Sequence, residues 1–458
     1  MEKEITDVLK NQRQFQFSSN SKNINYRISA LKRLRTSIKM HEEELLEALW
    51  NDLRKSRFES YTTEIGIVYS ELDFHIKNIK KWASPKKVST SQIIHFYSAS
   101  KIYKKPYGQI LIIAPWNYPF QLLINPLIGA ISAGNCAVLK PSEYTPNVSS
   151  VIQKIIESTF DKEHVAIFQG GIELNTLLLK QKWDLIFFTG SPKVGKIVMK
   201  AAAENMTPVI LELGGKSPCI IDRDANLKTA ASRVVWGKLL NAGQTCIAPD
   251  YIMIHRDVKQ KFMTLLEQNI EAFYGVNAKE STDYGRISTK ENVERLSKYL
   301  IGSEIYYGGE YNIEDKYFQP TILNNVSFNH SVMKNEIFGP IFPIIEFEDI
   351  NEVIDYINEN PKPLALYYFS QSKKQQQYVL TNTNSGGACI NEVVMHIANH
   401  NMPFGGVGNS GIGSYHGKTS FEAFSHSRSV LFKSTMIDIK LRYPSYTKFK
   451  ERLARIFM

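Results

Sequence analysis

ILIIAP at residues 110–115, CAVLKP at 136–141, VAIFQG at 165–170, LIFFTG at 185–190 and VILELG at 209–214 recur at helix-sized intervals. Each run is almost continuously apolar, the pattern of a strand buried on both faces. The stretches between them carry helical periodicity, with helices expected over Glu173 to Lys180 and Val194 to Ala203. Five strands joined by four helices imply a parallel sheet covered on both sides, the doubly wound α/β architecture that binds nucleotides.

Outside this block, residues 28–82 set Leu31, Leu34, Ile38, Leu45, Leu46, Leu49 and Leu53 at helical spacing between charged positions. They read as entry helices with no chemistry of their own. From Val88 to Ile102 the chain alternates and is rich in β-branched and aromatic side chains, which reads as an extended strand or hairpin. A second set of strands and helices is expected from Ser217 to about Gly411, and a last strand near Val430 would pair with another subunit. At 458 residues the chain is too long for one hydrophobic core, and it shows no internal repeat.

With 43% hydrophobic and 22% charged residues, the composition is that of an ordinary globular protein. The N-terminal MEKEITDVLKNQRQFQF lacks the apolar core and cleavage site of a secretory signal, so a cytoplasmic location is expected. The apolar region from Ile110 to Ala133 is interrupted by Asn117, Gln121, Asn125 and three prolines, which makes it a poor membrane span. Cys136, Cys219, Cys246 and Cys389 form no CxxC pair and have no neighbouring histidines, so neither a metal site nor a disulfide framework is expected. Three of them, Cys136, Cys219 and Cys389, lie in apolar runs and read as small hydrophobes.

The formal net charge is +10, and from Lys433 onward seven basic residues face two acidic ones. Half of the excess therefore lies in the tail. There Phe449, Leu453, Ile456 and Phe457 interleave with Lys448, Lys450, Arg452 and Arg455, a pattern suited to an anionic membrane surface. A solvated helix packed on the body by its apolar side fits the same residues. No nucleic-acid module is recognisable, so no nucleic-acid partner is expected.

Two stretches carry chemistry. In FFTGSPKVGK a strand ends at Thr189, Gly190 permits a tight turn and Ser191 opens a helix whose first amides would attract a pyrophosphate. Gly190, Gly195 and Lys196 also match G-x-x-x-x-G-K, but Ile197 replaces the hydroxyl that would hold magnesium, which argues against an NTPase. The second stretch pairs Glu212, in LELGGK, with Cys246, in GQTC about thirty residues on. A cysteine can form a covalent adduct with a carbonyl carbon, and a nearby carboxylate can draw a proton from the water that cleaves it. Two-step acyl chemistry follows.

APWNYP at 114–119, LKPSE at 139–143, FTGSPKVG at 188–195, LELGGK at 211–216, GQTC at 243–246, EIFGP at 336–340 and PFGGVGNSG at 403–411 resemble, in sequence and in order, the aldehyde dehydrogenase superfamily. The longer runs TPVILELGGKSPC, GQTCIAPDYI, PKPLALYYFS and GNSGIGSYHGKTSFEAFSHSRS look most like its class 3 and fatty aldehyde dehydrogenase branch. Nearly the whole chain is covered.

The resemblance implies a Rossmann-type cofactor domain over 1–85 and 106–213, an α/β catalytic domain over 214–412, a small β oligomerisation arm over 86–105 and 425–435, and a basic tail over 436–458. It implies Cys246 as an activated thiolate nucleophile, Glu212 as the base for water, and an oxyanion hole from the Asn117 amide and the Cys246 backbone. Gly190, Ser191 and Gly195 would lie along NAD, with NADP left open. Lys140 and Glu143 would meet the adenosine ribose, and Glu336 the nicotinamide ribose, with Phe338 beside the ring and Trp116 also binding the cofactor. Away from the family context, Lys140 and Glu143 read as plain surface charges. Phosphorylating and CoA-acylating members do not need the base, so Glu212 points to hydrolysis and a free acid, with Glu336 as a second base. The expected substrate is an apolar, medium or long-chain aldehyde, aliphatic or isoprenoid. A dehydrogenase for small or aromatic aldehydes and a catalytically idle homologue are the alternatives. A homodimer and peripheral contact of the tail with an anionic membrane complete the expectations.

Overall fold

A computed structural model describes the chain except residues 19–20, 92–94, 96, 439 and 458. The five apolar runs form five parallel strands, Gln109–Ile113, Cys136–Lys140, Val165–Ile167, Leu185–Gly190 and Val209–Leu213. The first of them lies between the second and the fourth, so the strand order reverses beside it. That reversal opens a crevice at the carboxyl ends of 109–113 and 185–190, the place where doubly wound sheets bind ligands. Strands 109–113 and 136–140 are buried at every position, which explains their unbroken apolar character.

The helices expected at 173–180 and 194–203 run Ile172–Leu179 and Pro192–Ala203. The second starts earlier because Ser191 caps it and Pro192, with its fixed φ, occupies the first turn. Helix Gln121–Ala133 is buried throughout and stops at Gly134, whose φ of 97° is the left-handed geometry of a helix end. The entry segment forms helices Ile24–Met40, Glu42–Leu53 and Gly66–Ala83 with a π turn Tyr61–Ile65 between.

The second half builds a seven-stranded sheet with spatial order 304–307, 321–324, 341–347, 251–255, 218–221, 365–369 and 387–390, parallel except for its first strand. Gly411–Ile412, at the end of the segment expected to be catalytic, joins the first sheet instead, antiparallel to 209–213. Strands Lys86–Val88, Ser98–Pro106 and Ser425–Lys433 form a separate antiparallel sheet. Part of the expected extended segment, residues 92–94 and 96, lies outside the described residues.

The tail ends in helix Lys448–Phe457, on which Phe449 and Ile456 are exposed rather than packed on the body. Among the described residues no helix is long and apolar enough to cross a membrane.

Candidate active site

Three neighbouring strands deliver their carboxyl ends to one place. Strand 109–113 runs into Pro115, Trp116 and Asn117; strand 185–190 ends at Gly190 before Ser191; strand 209–213 carries Glu212 and leads to Gly214. The second half contributes Cys246 and the loop with Glu336 and Phe338. Together these enclose a cavity of about 280 Å³ lined by Trp116, Asn117, Gly190, Ser191, Glu212, Cys246, Glu336 and Phe338. Lys140, Glu143 and Gly195 stand apart from it. Lys140 is buried at the end of its strand with Nζ 2.5 Å from Glu143, so it is not a plain surface charge. Gly195 faces Leu213, where a side chain would collide, and so lets the helix close on the sheet.

Cys246 follows a turn in which Asn241, Ala242 and Gly243 all have left-handed φ, at 51°, 52° and 80°. Two non-glycine residues in that region cost about 1–2 kcal/mol each, so the surroundings must hold the turn. They do. The Asn241 N–H donates to Glu59 Oε1 at 2.7 Å, and the Gln244 amide donates to the carbonyls of Asn241 and Arg286, each at 2.9 Å. The Ser288 N–H returns a bond to Gln244 Oε1 at 2.8 Å, and Tyr118 and Thr245 share a hydroxyl bond of 2.6 Å. Gly243 packs on Gly339 so closely that a Cβ would collide with its carbonyl. Asn117, also buried, donates one amide hydrogen to the Gln244 carbonyl at 3.0 Å, which leaves its second for a ligand.

Glu212 is 3% exposed, and neither of its carboxylate oxygens has a hydrogen-bond partner among the described residues. A structural ion pair therefore does not account for it. Burial pushes its pKa well above the carboxylate range. Glu336 is pushed up to about 8, by burial and then by Asp250, against the pull of the Gly215 N–H. The Cys246 thiol is pushed up to about 12, by burial first and then by Glu336 and Glu212. These surroundings favour the thiol over the thiolate.

The loop bearing Glu336 is pinned from below. Lys216 Nζ pairs with Asp250 at 2.5 Å and donates to the carbonyls of Val332 and Asn335 at 3.0 Å each, while Asp250 Oδ1 accepts the Ile337 N–H at 2.9 Å. A Cβ at Gly214 would collide with the Glu336 carboxylate, so that glycine leaves room for the Glu336 side chain as it stands.

Sequence reasoning missed several residues. Thr189 and Tyr415 line the cavity, and each has a buried hydroxyl with no partner among the described residues. Nothing separates Tyr415 from a core aromatic until the fold brings its loop back to the first sheet. Cys389, read as inert, lies with Sγ 3.2 Å from His396 Nδ1. The entry segment also reaches the site through Glu59.

The chain matches the sequence model of the Aldehyde dehydrogenase family over residues 2–430. It is 47% identical over 433 residues to a 4,4'-diaponeurosporen-aldehyde dehydrogenase from Staphylococcus aureus, covering 94% of each chain. It is 42% identical to aldehyde dehydrogenase family 3 member A2 of Macaca fascicularis, covering 100% of this chain and 94% of the relative. It is likewise 42% identical to a dimeric NADP-preferring aldehyde dehydrogenase of Canis lupus familiaris, covering 96% and 97%. A solved structure described as the substrate-bound state of Staphylococcus aureus AldH superposes with a TM-score of 0.97 at 44% identity, covering 99% of each chain. The chain belongs to the aldehyde dehydrogenase family, within its class 3 branch.

Proposed function

We propose that this enzyme oxidises long, apolar aldehydes to carboxylic acids through a thioester on Cys246, with NAD(P)+ as hydride acceptor. The observation that carries the reading is one cavity holding the Cys246 thiol, the Asn117 amide and an unpartnered Glu212 carboxylate. Cys246 Sγ adds to the carbonyl carbon as its proton passes to Glu336 or to water, and the developing alkoxide accepts from Asn117 Nδ2 and the Cys246 N–H. A dinucleotide bound in this cavity would supply the hydride acceptor. Glu212 then draws a proton from water, which attacks the thioester and releases the acid. Neither Glu212 oxygen has a partner among the described residues, which favours Glu212 over Glu336 as the base.

The residues present fit a dinucleotide. Ser191, in the cavity wall, opens a helix whose positive N-terminal end suits an anion, the Thr189 hydroxyl has no partner among the described residues, and Trp116 and Phe338 meet edge to face at 5.5 Å as a wall for a flat ring. Residues 1–85 and 106–213 would form the cofactor domain, 214–412 the catalytic one. Lys140 and Glu143 would hold the adenosine ribose. A carboxylate there favours NAD, while the dog relative is named as NADP-preferring. Gly214→Ala should drive Glu336 away and weaken NADH binding by about 1–3 kcal/mol, roughly 5- to 150-fold, read by fluorescence titration.

Leu122, Leu364, Phe338 and Phe404 in the cavity wall support an apolar substrate, and the aldehyde in the Staphylococcus relative's name points the same way. The tail helix, with Phe449, Leu453 and Ile456 on one side and Lys448, Lys450, Arg452 and Arg455 around it, would guard the entrance and touch anionic lipid. A panel of aldehydes of rising chain length, polyene and isoprenoid ones included, should give kcat/KM rising with length. Truncation after Arg442 should lower only the long-chain values, roughly 3- to 10-fold, and binding to anionic liposomes. A panel peaking at small or aromatic aldehydes would favour the alternative substrate class.

Strand Ser425–Lys433 pairs along one edge only and exposes Leu431 and Phe432, which supports an arm that joins two copies. Light scattering at micromolar concentration should give twice the chain mass of 52.3 kDa. The four free thiols suit a reducing cytoplasm.

A further inference from the structure

Three charged side chains from one short stretch, Lys55, Glu59 and Glu64, are buried behind the active site without lining its cavity. Buried charges are destabilising unless they are paired or hydrogen-bonded; here Lys55 and Glu64 pair with each other and Glu59 accepts a backbone N–H. Lys55 Nζ lies 2.9 Å from Glu64 Oε1, donates to the Asn117 carbonyl at 3.2 Å and sits 4.2 Å from the centre of the Tyr118 ring. The second oxygen of Glu64 accepts the N–H groups of Phe120 at 3.1 Å and Gln121 at 2.9 Å. The pair thus grips both ends of the bend from Asn117 to Gln121: a carbonyl at its start and two amides at its finish.

The same cluster holds the nucleophile turn. Glu59 Oε1 accepts the Asn241 N–H, and Asn241 Nδ2 donates to the Asn117 carbonyl at 2.8 Å, the acceptor that Lys55 also uses. Asn241 Nδ2 further reaches the Gln244 carbonyl at 3.3 Å, which accepts from Asn117 Nδ2. One carbonyl and one carbonyl-bound amide therefore connect the loop of Asn117 to the turn of Cys246. The stretch continues into the π turn Tyr61–Ile65, an irregularity frequent at functional sites.

We propose that Lys55 is a positioning residue for the oxyanion hole. Through Glu64 and the Asn117 carbonyl, and in company with Asn241, it sets the spacing between the Asn117 side-chain amide and the Cys246 N–H. The inference rests on the oxyanion-hole reading given above. Such donors act only when they lie about 2.7–3.1 Å from the forming oxyanion, and a misplacement of about 1 Å costs up to 100-fold in rate.

Two reactions of the same thiol separate this role from mere support of the fold. p-Nitrophenyl acetate acylates Cys246 Sγ through a tetrahedral oxyanion and expels p-nitrophenolate. Iodoacetamide alkylates the same sulfur by displacing iodide, with no oxyanion. Lys55→Met should slow acylation at least about tenfold while alkylation of Cys246, followed by peptide mass, changes less than about threefold. Lys55→Arg should recover part of the loss. Asn241→Gly keeps the left-handed φ without strain and should show the same split, which keeps the test decisive if Lys55→Met does not fold. Asn117→Ala is the reference: if it leaves the ratio of the two rates unchanged, the oxyanion-hole reading itself fails. If it shifts the ratio while Lys55→Met and Asn241→Gly do not, only the positioning role is overturned, as it is if both rates fall together.

Discussion

Cys246→Ala is expected to abolish aldehyde oxidation, a loss of roughly 10⁴-fold or more, while NADH binding stays intact. Without the thiol the carbonyl carbon never becomes tetrahedral in the site, so no hydride is poised to leave. The change does not touch the helix start at Ser191 or the loop of Glu336, and titration with NADH should give the parent affinity. Cys136→Ala and Cys219→Ala, in strands away from the cavity, should remain active and serve as controls. The sign of the pH dependence follows from the thiol pushed up to about 12. Below that value the thiolate fraction grows about tenfold per pH unit. Alkylation of Cys246 in the free enzyme should therefore keep rising through pH 9 and beyond. A plateau near neutral pH would mean that the thiolate is already formed in the resting enzyme, against the burial and the two carboxylates that surround it.

Strand ends are legible in this sequence, and the residues that support them are not. The five strands were legible because a strand buried on both faces cannot hide its continuous apolar run. Glu212, Cys246, Gly190 and Ser191 were legible because each stands at a strand end or in a glycine-marked turn, and Asn117 because APWNYP matches a known motif. The upward push on the thiol pKa was not, since it comes first from burial in the assembled fold and then from Glu336 and Glu212, which are remote in sequence from Cys246 and from each other. Lys55, Glu59 and Glu64 are the clearest case. In KSRFESYTTEIG they read as one more charged helix surface, the ordinary place for Lys and Glu. Only the packing of Asn117 and Asn241 over them turns those charges inward, and no local pattern encodes a contact across sixty or more residues. Gly411–Ile412 shows the same limit: two residues are too few for a strand signal, yet they close the first sheet beside Glu212.

Glu212→Gln is expected to stop the enzyme after one turnover. Cys246 can still add to the aldehyde, with its proton passing to Glu336 or to water, and hydride can still leave, so rapid mixing should show a burst of NADH close to one per active site. Steady-state turnover should then fall by roughly 10²–10⁴-fold, because the amide cannot draw a proton from the attacking water. The variant is clean, since neither Glu212 oxygen has a partner among the described residues and no structural pair is broken. Two pH effects accompany it. Glu212 has a pKa raised well above the carboxylate range, and only its ionised form acts as a base, so parent deacylation should rise with pH, whereas the residual deacylation of Glu212→Gln should lose that rise. The folded protein also binds a proton at Glu212 that the unfolded chain has released. Parent stability should therefore decline as pH climbs from the ordinary carboxylate pKa toward the raised one, and Glu212→Gln should lack that decline in thermal melts. A variant with neither burst nor turnover would assign Glu212 an earlier step, the removal of the proton from Cys246 itself.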